Sequence, residues 1–208
     1  MRQAVDLDAV RTFGSVFITL LVIMDPPGAL PIFLALTAQM PPSKRVAAAR
    51  RASLVAFGVI AMFAIFGQQI LNYLHISIAA LQGSGGLLLL LVALQLLTGQ
   101  ESEQYAESGA NVALVPLGTP LLAGPGAIVA IMLAVQRSDG AGELAATALG
   151  FTAAMVVVWV FLRFASRIRR VLRESGTVLA TRIAGLLLSA IAVQMVADSV
   201  RAFVTAAA

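Results

Sequence analysis

The stretch Met24-Asp25-Pro26-Pro27-Gly28-Ala29-Leu30-Pro31-Ile32-Phe33 sits inside an apolar run from about residue 12 to about residue 36. In water, Asp-Pro-Pro-Gly would mark a surface turn. Here the flanks are Val16-Phe17-Ile18-Thr19-Leu20-Leu21-Val22-Ile23 and Ile32-Phe33-Leu34-Ala35-Leu36, and both suit lipid. The run exceeds the roughly 20 residues that a helix needs to cross a bilayer. Two prolines and a glycine interrupt its hydrogen-bond ladder near the centre, and a carboxylate stands at the interruption. Unsatisfied backbone groups are costly in hydrocarbon, so such a break persists only when buried in protein or lining a polar cavity. The stretch predicts a membrane helix broken at mid-depth, with a candidate site at the break.

A second stretch has the same form. Ala123-Gly124-Pro125-Gly126-Ala127-Ile128 interrupts another apolar run, residues 112–135, which also holds Pro116 and Pro120. Aligned with the first, Pro27 falls on Pro125 and Gly28-Ala29-Leu30 on Gly126-Ala127-Ile128. Farther on, Gly86-Leu87-Leu88-Leu89 and Gln95 match Gly185-Leu186-Leu187-Leu188 and Gln194 after a slip of one residue. Two halves interrupted at matching places read as an internal repeat.

Composition agrees with the local reading. Of 208 residues, 60% are hydrophobic and 12% charged, with a mean hydropathy of +0.94. Soluble domains carry roughly 25% charged residues. The expectation is an all-α polytopic membrane protein, one integral domain over residues 1–208, with six spans at residues 12–36, 47–71, 78–97, 112–135, 144–164 and 178–203. The first is broken at residues 25–28 and the fourth at residues 124–126. Repeat one covers residues 12–98 and repeat two residues 111–204, joined by a loop at 99–110 that carries Glu101, Glu103 and Glu107. Three spans per half is an odd number, so the second half enters from the opposite side and the repeats are inverted.

The net charge of +4 does not point to nucleic acid, because the basic residues gather between apolar spans. Lys44, Arg45, Arg50 and Arg51 follow the first span; Arg163, Arg167, Arg169, Arg170 and Arg173 follow the fifth. The positive-inside rule makes that side, and the acidic loop with it, cytoplasmic and both termini extracytoplasmic. There is no cysteine, which excludes a disulfide framework and a thiolate metal site. Acidic residues where a signal peptide is basic, and a first span too long for a signal core, predict that the first span is not cleaved.

The break residues have a plain reading beside a functional one. Asp is a good helix N-cap and Pro suits the first helical position, so Asp25 and Pro26 can simply start the second half of the first span. Yet Asp25 is the acid nearest mid-span; Asp198 lies towards the end of the sixth, with Arg201 one turn away as its expected partner. An ionisable group at membrane depth is a functional candidate. The N–H groups that follow each break favour anions. In the first span Asp25 already faces that end, whereas the matching position in the fourth is Ala123, which leaves Gly124, Gly126 and Ala127 open to a ligand anion. Asp25, Pro26 and Gly28 on one wall and Gly124, Gly126 and Ala127 on the other would suit a zwitterion.

Gln95 and Gln194 occupy equivalent places in the third and sixth spans. They read first as interhelical hydrogen bonds and second as substrate contacts. Gln82-Gly83-Ser84-Gly85-Gly86 reads as a close helix-packing surface, since no strand precedes it and no Gly-Lys-Ser follows. Arg182 can snorkel to the cytoplasmic surface, Trp159 and Tyr73 suit the membrane interface, and the single histidine, His75, is no metal site.

The Asp-Pro-Pro-Gly-Ala-Leu-Pro-Ile-Phe stretch, Pro116-Leu117-Gly118-Thr119-Pro120-Leu121-Leu122-Ala123-Gly124-Pro125-Gly126-Ala127-Ile128 and the six apolar runs resemble the MarC/SnatA family of bacterial and archaeal inner-membrane proteins. The resemblance spans nearly the whole chain. It implies a six-helix membrane protein, with neutral amino-acid transport as the activity assigned to some members. The resulting expectation is a secondary transporter of small neutral amino acids such as alanine, glycine or serine, using alternating access around the two breaks. Its partners would be a small zwitterionic substrate and the bilayer, with no cofactor, metal or nucleic acid; a homo-oligomer is compatible. A channel or scaffold is the alternative. An intramembrane enzyme is remote, because no Gly-x-Gly-Asp or Gly-x-Ser-x-Gly stretch is present.

Overall fold

A computed structural model describes residues 2–37, 39–98 and 122–207. Their regular structure is entirely helical: α1 Arg2–Met24, α2 Pro26–Leu36, α3 Pro42–Tyr73, α4 Ile78–Thr98, α5 Pro125–Gln136, α6 Ala141–Arg163 and α7 Ala165–Ala207. The expected loop at 99–110, Pro116, Pro120 and the first part of the fourth expected span lie outside the described residues.

Punctuation follows the chemistry of the chain. Between α1 and α2 only Asp25 intervenes, at φ 36°, a left-handed conformation that Asp tolerates better than most residues. Its carbonyl accepts from the Ala29 N–H at 3.0 Å, so the residue that ends α1 also starts α2. Pro26 and Pro27 occupy the first two positions of α2, where a missing N–H costs nothing. Gly124, extended at φ −63° and ψ 164°, starts α5 in the same manner, with Pro125 as its first helical residue.

Among the described residues, five helical stretches are long and apolar enough to cross a membrane: Asp8–Leu30, Pro42–Tyr73, Ile78–Thr98, Ala141–Arg163 and Val178–Thr205. The shorter apolar helix α5 accompanies them. Many of their large apolar side chains are exposed, among them Ile18, Leu54, Ile65, Leu91, Leu149 and Leu186, as a lipid-facing surface requires.

One loop expected from the sequence is not a loop. The basic segment after Phe164 is helical, and α7 runs unbroken through 43 residues. At 1.5 Å per residue it is about 65 Å long, twice the hydrocarbon thickness. Arg167 and Ile168 donate to the Phe164 carbonyl at 2.9 Å, so helix resumes immediately after the turn. The charge of that segment signalled departure from lipid, and charge alone does not end a helix.

Small residues set the packing. Gly150 of α6 lies against the backbone of Phe13 and Phe17 in α1, and Gly67 of α3 against Met132 in α5. The α4 and α7 pair is antiparallel and reciprocal: Gly86 packs on Ala192, Met195 and Val196, and Gly185 packs on Ala93, Leu96 and Leu97. Each contact of the first set maps on one of the second by the same sequence offset. Close approach through small residues is how apolar helices associate in lipid. The Gln82 to Gly86 run serves this purpose as expected, with Gly83 against Ser199 and Gly85 against Val129.

Candidate functional site

The starts of α2 and α5 lie near one another in the core. Met24, Ala29, Leu30 and Phe33 share one buried cluster with Leu122, Ala123, Ala127 and Ile131. Gly126 is seated against Leu89 of α4 and close to Ile23 of α1. Asp25 is 6% exposed. With prolines at the first two positions of α2, the first amide available to a capping group is that of Gly28. The Asp25 carboxylate lies there, in the space that a Cβ on Gly28 would take, and Thr181 of α7 closes the other side. Pro26 is buried, Gly124 is half-buried, and Gly126 and Ala127 are buried in the first turn of α5.

A cavity of about 610 Å³ opens between α1, α4, α5 and α7, at the end where α1 and α4 begin and α5 and α7 finish. Its charged lining is Arg11, Arg137 and Asp198, and its uncharged polar lining includes Thr12, Ser15, Thr19, Gln82, Ser138 and Gln194. Asp198 is held by two amides: Gln194 Nε2 donates to Oδ1 at 2.8 Å, and Gln82 Nε2 donates to Oδ2 at 3.4 Å. The expected Arg201 partner is displaced by these glutamines. Gln82 thus ties α4 to α7, and Ser199 adds a hydroxyl bond to the Ala79 carbonyl at 2.7 Å. The cavity reaches Thr19 and Ala130 at depth. Those residues lie six before Asp25 and four after Gly126, or about 9 and 6 Å along their helices.

Of the residues picked from sequence, Gln194 lines this cavity. Asp25, Pro26, Gly28, Gly124, Gly126 and Ala127 cluster beneath it without lining it. Gln95 stands apart, thirteen residues along α4 from Gln82, or about 20 Å. The interhelical bond expected of Gln194 is instead a bond within α7, and Gln82 makes the crossing. Sequence reading missed Arg11, Arg137, Gln82 and the hydroxyls of α1. A signal was present, since Thr12, Ser15 and Thr19 recur at helical spacing and form one polar stripe.

The described residues hold no group of three or more His, Asp or Glu side chains suited to a metal ion. The arrangement can bind a small solute by charge and hydrogen bonding, with opposite signs on opposed helices.

The sequence profile described as MarC family integral membrane protein matches residues 10–204. The chain belongs to the MarC family. Relatives include a UPF0056 membrane protein of Archaeoglobus fulgidus, 39% identical over 196 residues, or 89% of this chain and 91% of that one. The UPF0056 membrane protein YvbG of Bacillus subtilis is 33% identical over 190 residues, 87% of this chain and 90% of its own. The UPF0056 inner membrane protein YhgN of Escherichia coli is 32% identical over 194 residues, 90% and 95% respectively. No solved structure matches. This MarC family protein is an integral membrane protein with several apolar helices.

Proposed function

We propose that the protein is a secondary transporter of small neutral amino acids across the bacterial inner membrane, working by ion- or proton-coupled alternating access. The observation that carries this reading is the cavity whose lining joins Asp198 to Arg11 and Arg137 and descends towards the starts of α2 and α5. A zwitterion entering it finds an acid for its ammonium and cations for its carboxylate. Below, Asp25 would receive the ammonium or carry the coupling proton, and the backbone of Gly124, Gly126 and Ala127 would receive the carboxylate. No covalent step is needed for such a cycle.

The reciprocal packing of α4 on α7 supports inverted repeats, because an antiparallel pair with interchangeable contacts implies a two-fold axis across the helices. In that relation Gln95 is the counterpart of Gln194, and Thr181 beside Gly28 is the counterpart of Gln82. Exchange of conformation between the halves would then close the present cavity and open one at the opposite end, lined by Gln95 and Thr181. The Arg45 side chain donates to Ser166 Oγ at 3.0 Å, which puts the two basic segments at one end of the molecule. That supports a cytoplasmic assignment for this end and an outward-facing cavity.

Purified full-length protein in liposomes tests the proposal with alanine, glycine and serine, with and without proton and sodium gradients. Saturable uptake driven by a gradient is expected. Linear, unsaturable flux would assign a channel, and no flux of any of the three would leave a scaffold. Replacing Asp198 with Asn should raise the apparent KM roughly tenfold, the usual worth of one charged hydrogen-bond partner.

A further inference from the structure

A second groove lies on the outside of the bundle, at the arginine-rich end. Phe57 of α3 stacks on Phe151 of α6 with ring centroids 4.7 Å apart. From that point the two helices run together towards the basic end, α3 back to Arg50 and α6 forward to Trp159. The slot between them has a volume of about 290 Å³, and its lining is almost entirely apolar below Arg50. Leu54 and Val156 form its lips and are 63% and 50% exposed, so it opens sideways where lipid would stand. At 1.5 Å per residue its length is about 10 Å.

Two hydrogen-bonding groups in this slot lack partners. Ser53, 6% exposed, has an Oγ with no hydrogen bond. Other helical hydroxyls back-bond, Thr37 to Phe33 at 2.7 Å and Thr152 to Ala148 at 2.8 Å. Trp159 Nε1, which can only donate, is also buried without an acceptor. A buried donor left unpaired is costly, and an oxygen-bearing ligand would relieve both. Above them stand two cations: Arg50 at the end of the slot, and Arg163 with its guanidinium 5.5 Å from the centre of the Trp159 ring.

We propose that this groove holds one anionic phospholipid of the leaflet at the arginine-rich end. Arg50 and Arg163 take the phosphate. The Ser53 hydroxyl and the Trp159 indole N–H turn out of the slot wall that covers them to donate to the ester or phosphate oxygens one turn deeper. One acyl chain lies in the slot over Phe57 and Met155. The order of groups from surface to hydrocarbon is the order of a phospholipid. Basic sites between membrane helices at the cytoplasmic face recognise such headgroups by the same chemistry. A soluble anion would have no use for the apolar slot. The span of a partner protein has most of its carbonyl oxygens engaged in its own helical ladder, whereas the ester and phosphate oxygens of a lipid are free to accept.

Native mass spectrometry of the full chain in detergent provides the test, with phosphatidylglycerol and phosphatidylcholine of identical chains as probes. The wild type should retain phosphatidylglycerol roughly tenfold better, from two cations near one anionic headgroup. Arg50→Gln with Arg163→Gln should abolish that preference. Ser53→Ala and Trp159→Phe, each of which leaves the apolar shape nearly intact, should each lower retention about fivefold through one lost hydrogen bond. Arg201→Gln, near the far end of α7, should change nothing. Equal retention of the two lipids by the wild type overturns the proposal. So does undiminished retention by both Ser53→Ala and Trp159→Phe, since attraction to arginines alone would then explain the preference.

Discussion

Asp25 combines three constraints that are rarely met by one residue. It has a left-handed backbone, its carbonyl starts α2, and its carboxylate lies against Gly28 in the space a side chain would take. Asn meets the first two nearly as well as Asp, because it tolerates positive φ and caps helices. Asp25→Asn should therefore express and unfold like the wild type, within about 0.5 kcal/mol. It should lose concentrative uptake, its pH dependence, or both, because the charge and the exchangeable proton are gone. Asp25→Ala loses the cap and the tolerance of positive φ together, and should be about 1–3 kcal/mol less stable in detergent. Wild-type uptake with an unchanged pH profile in the Asn variant would reduce Asp25 to a cap.

The helices associate through positions where no side chain fits, and these differ sharply from glycines that merely occur. A Cβ on Gly86 would stand 2.8 Å from the Ala192 carbonyl oxygen, a backbone atom that cannot step aside. Gly86→Ala should separate α4 from α7 and lower stability by about 1–3 kcal/mol, the range for overpacking. Its counterpart Gly185 meets its neighbours at 3.1 to 3.3 Å, so Gly185→Ala should act in the same direction and more weakly. Gly58 has nothing within 4 Å, and Gly58→Ala should be neutral or stabilising, by up to about 1 kcal/mol for a better helix former. Thermal unfolding of the three variants in one detergent ranks them. Equal tolerance at Gly86 and Gly58 would mean that α4 and α7 are not held at this distance.

The assembled bundle has a polar end and an arginine-rich end, and the proposed orientation makes the first extracytoplasmic. The chain has no cysteine, so introduced cysteines report without background. Ser15, exposed in the cavity, should as Ser15→Cys react with a membrane-impermeant maleimide from outside the cell and be protected by transported amino acid. Arg169→Cys should react only from the cytoplasm, and a reporter fused after Ala208 should lie outside. The reverse pattern would invert the orientation and leave the packing untouched. Labelling at Ser15 that substrate does not slow would separate the cavity from the transport path.

Much of this architecture is written in local chemistry. Hydropathy sets each segment against lipid or water, which is why the apolar helices α3, α4 and α6 fall where the residues place them. Proline lacks a donor and glycine lacks a side chain, so the helix starts at Pro26 and Pro125 were legible too, as was the recurrence of Gly86 and Gln95 at Gly185 and Gln194. The partner of a polar group is different in kind. It depends on how far each helix is rotated and how closely its small residues let neighbours approach. The sequence pairs Asp198 with Arg201 on its own helix; its carboxylate accepts instead from Gln194 on that helix and from Gln82, 116 residues distant, the latter because Gly83 and Gly86 bring α4 onto α7. The cavity is likewise the property of four helices at once, and the stripe of Thr12, Ser15 and Thr19 acquires meaning only when Arg137, Gln194 and Asp198 stand opposite. Single-segment energetics fix which parts of the chain enter the membrane, and the fit of one helix surface on another fixes which polar groups meet inside it.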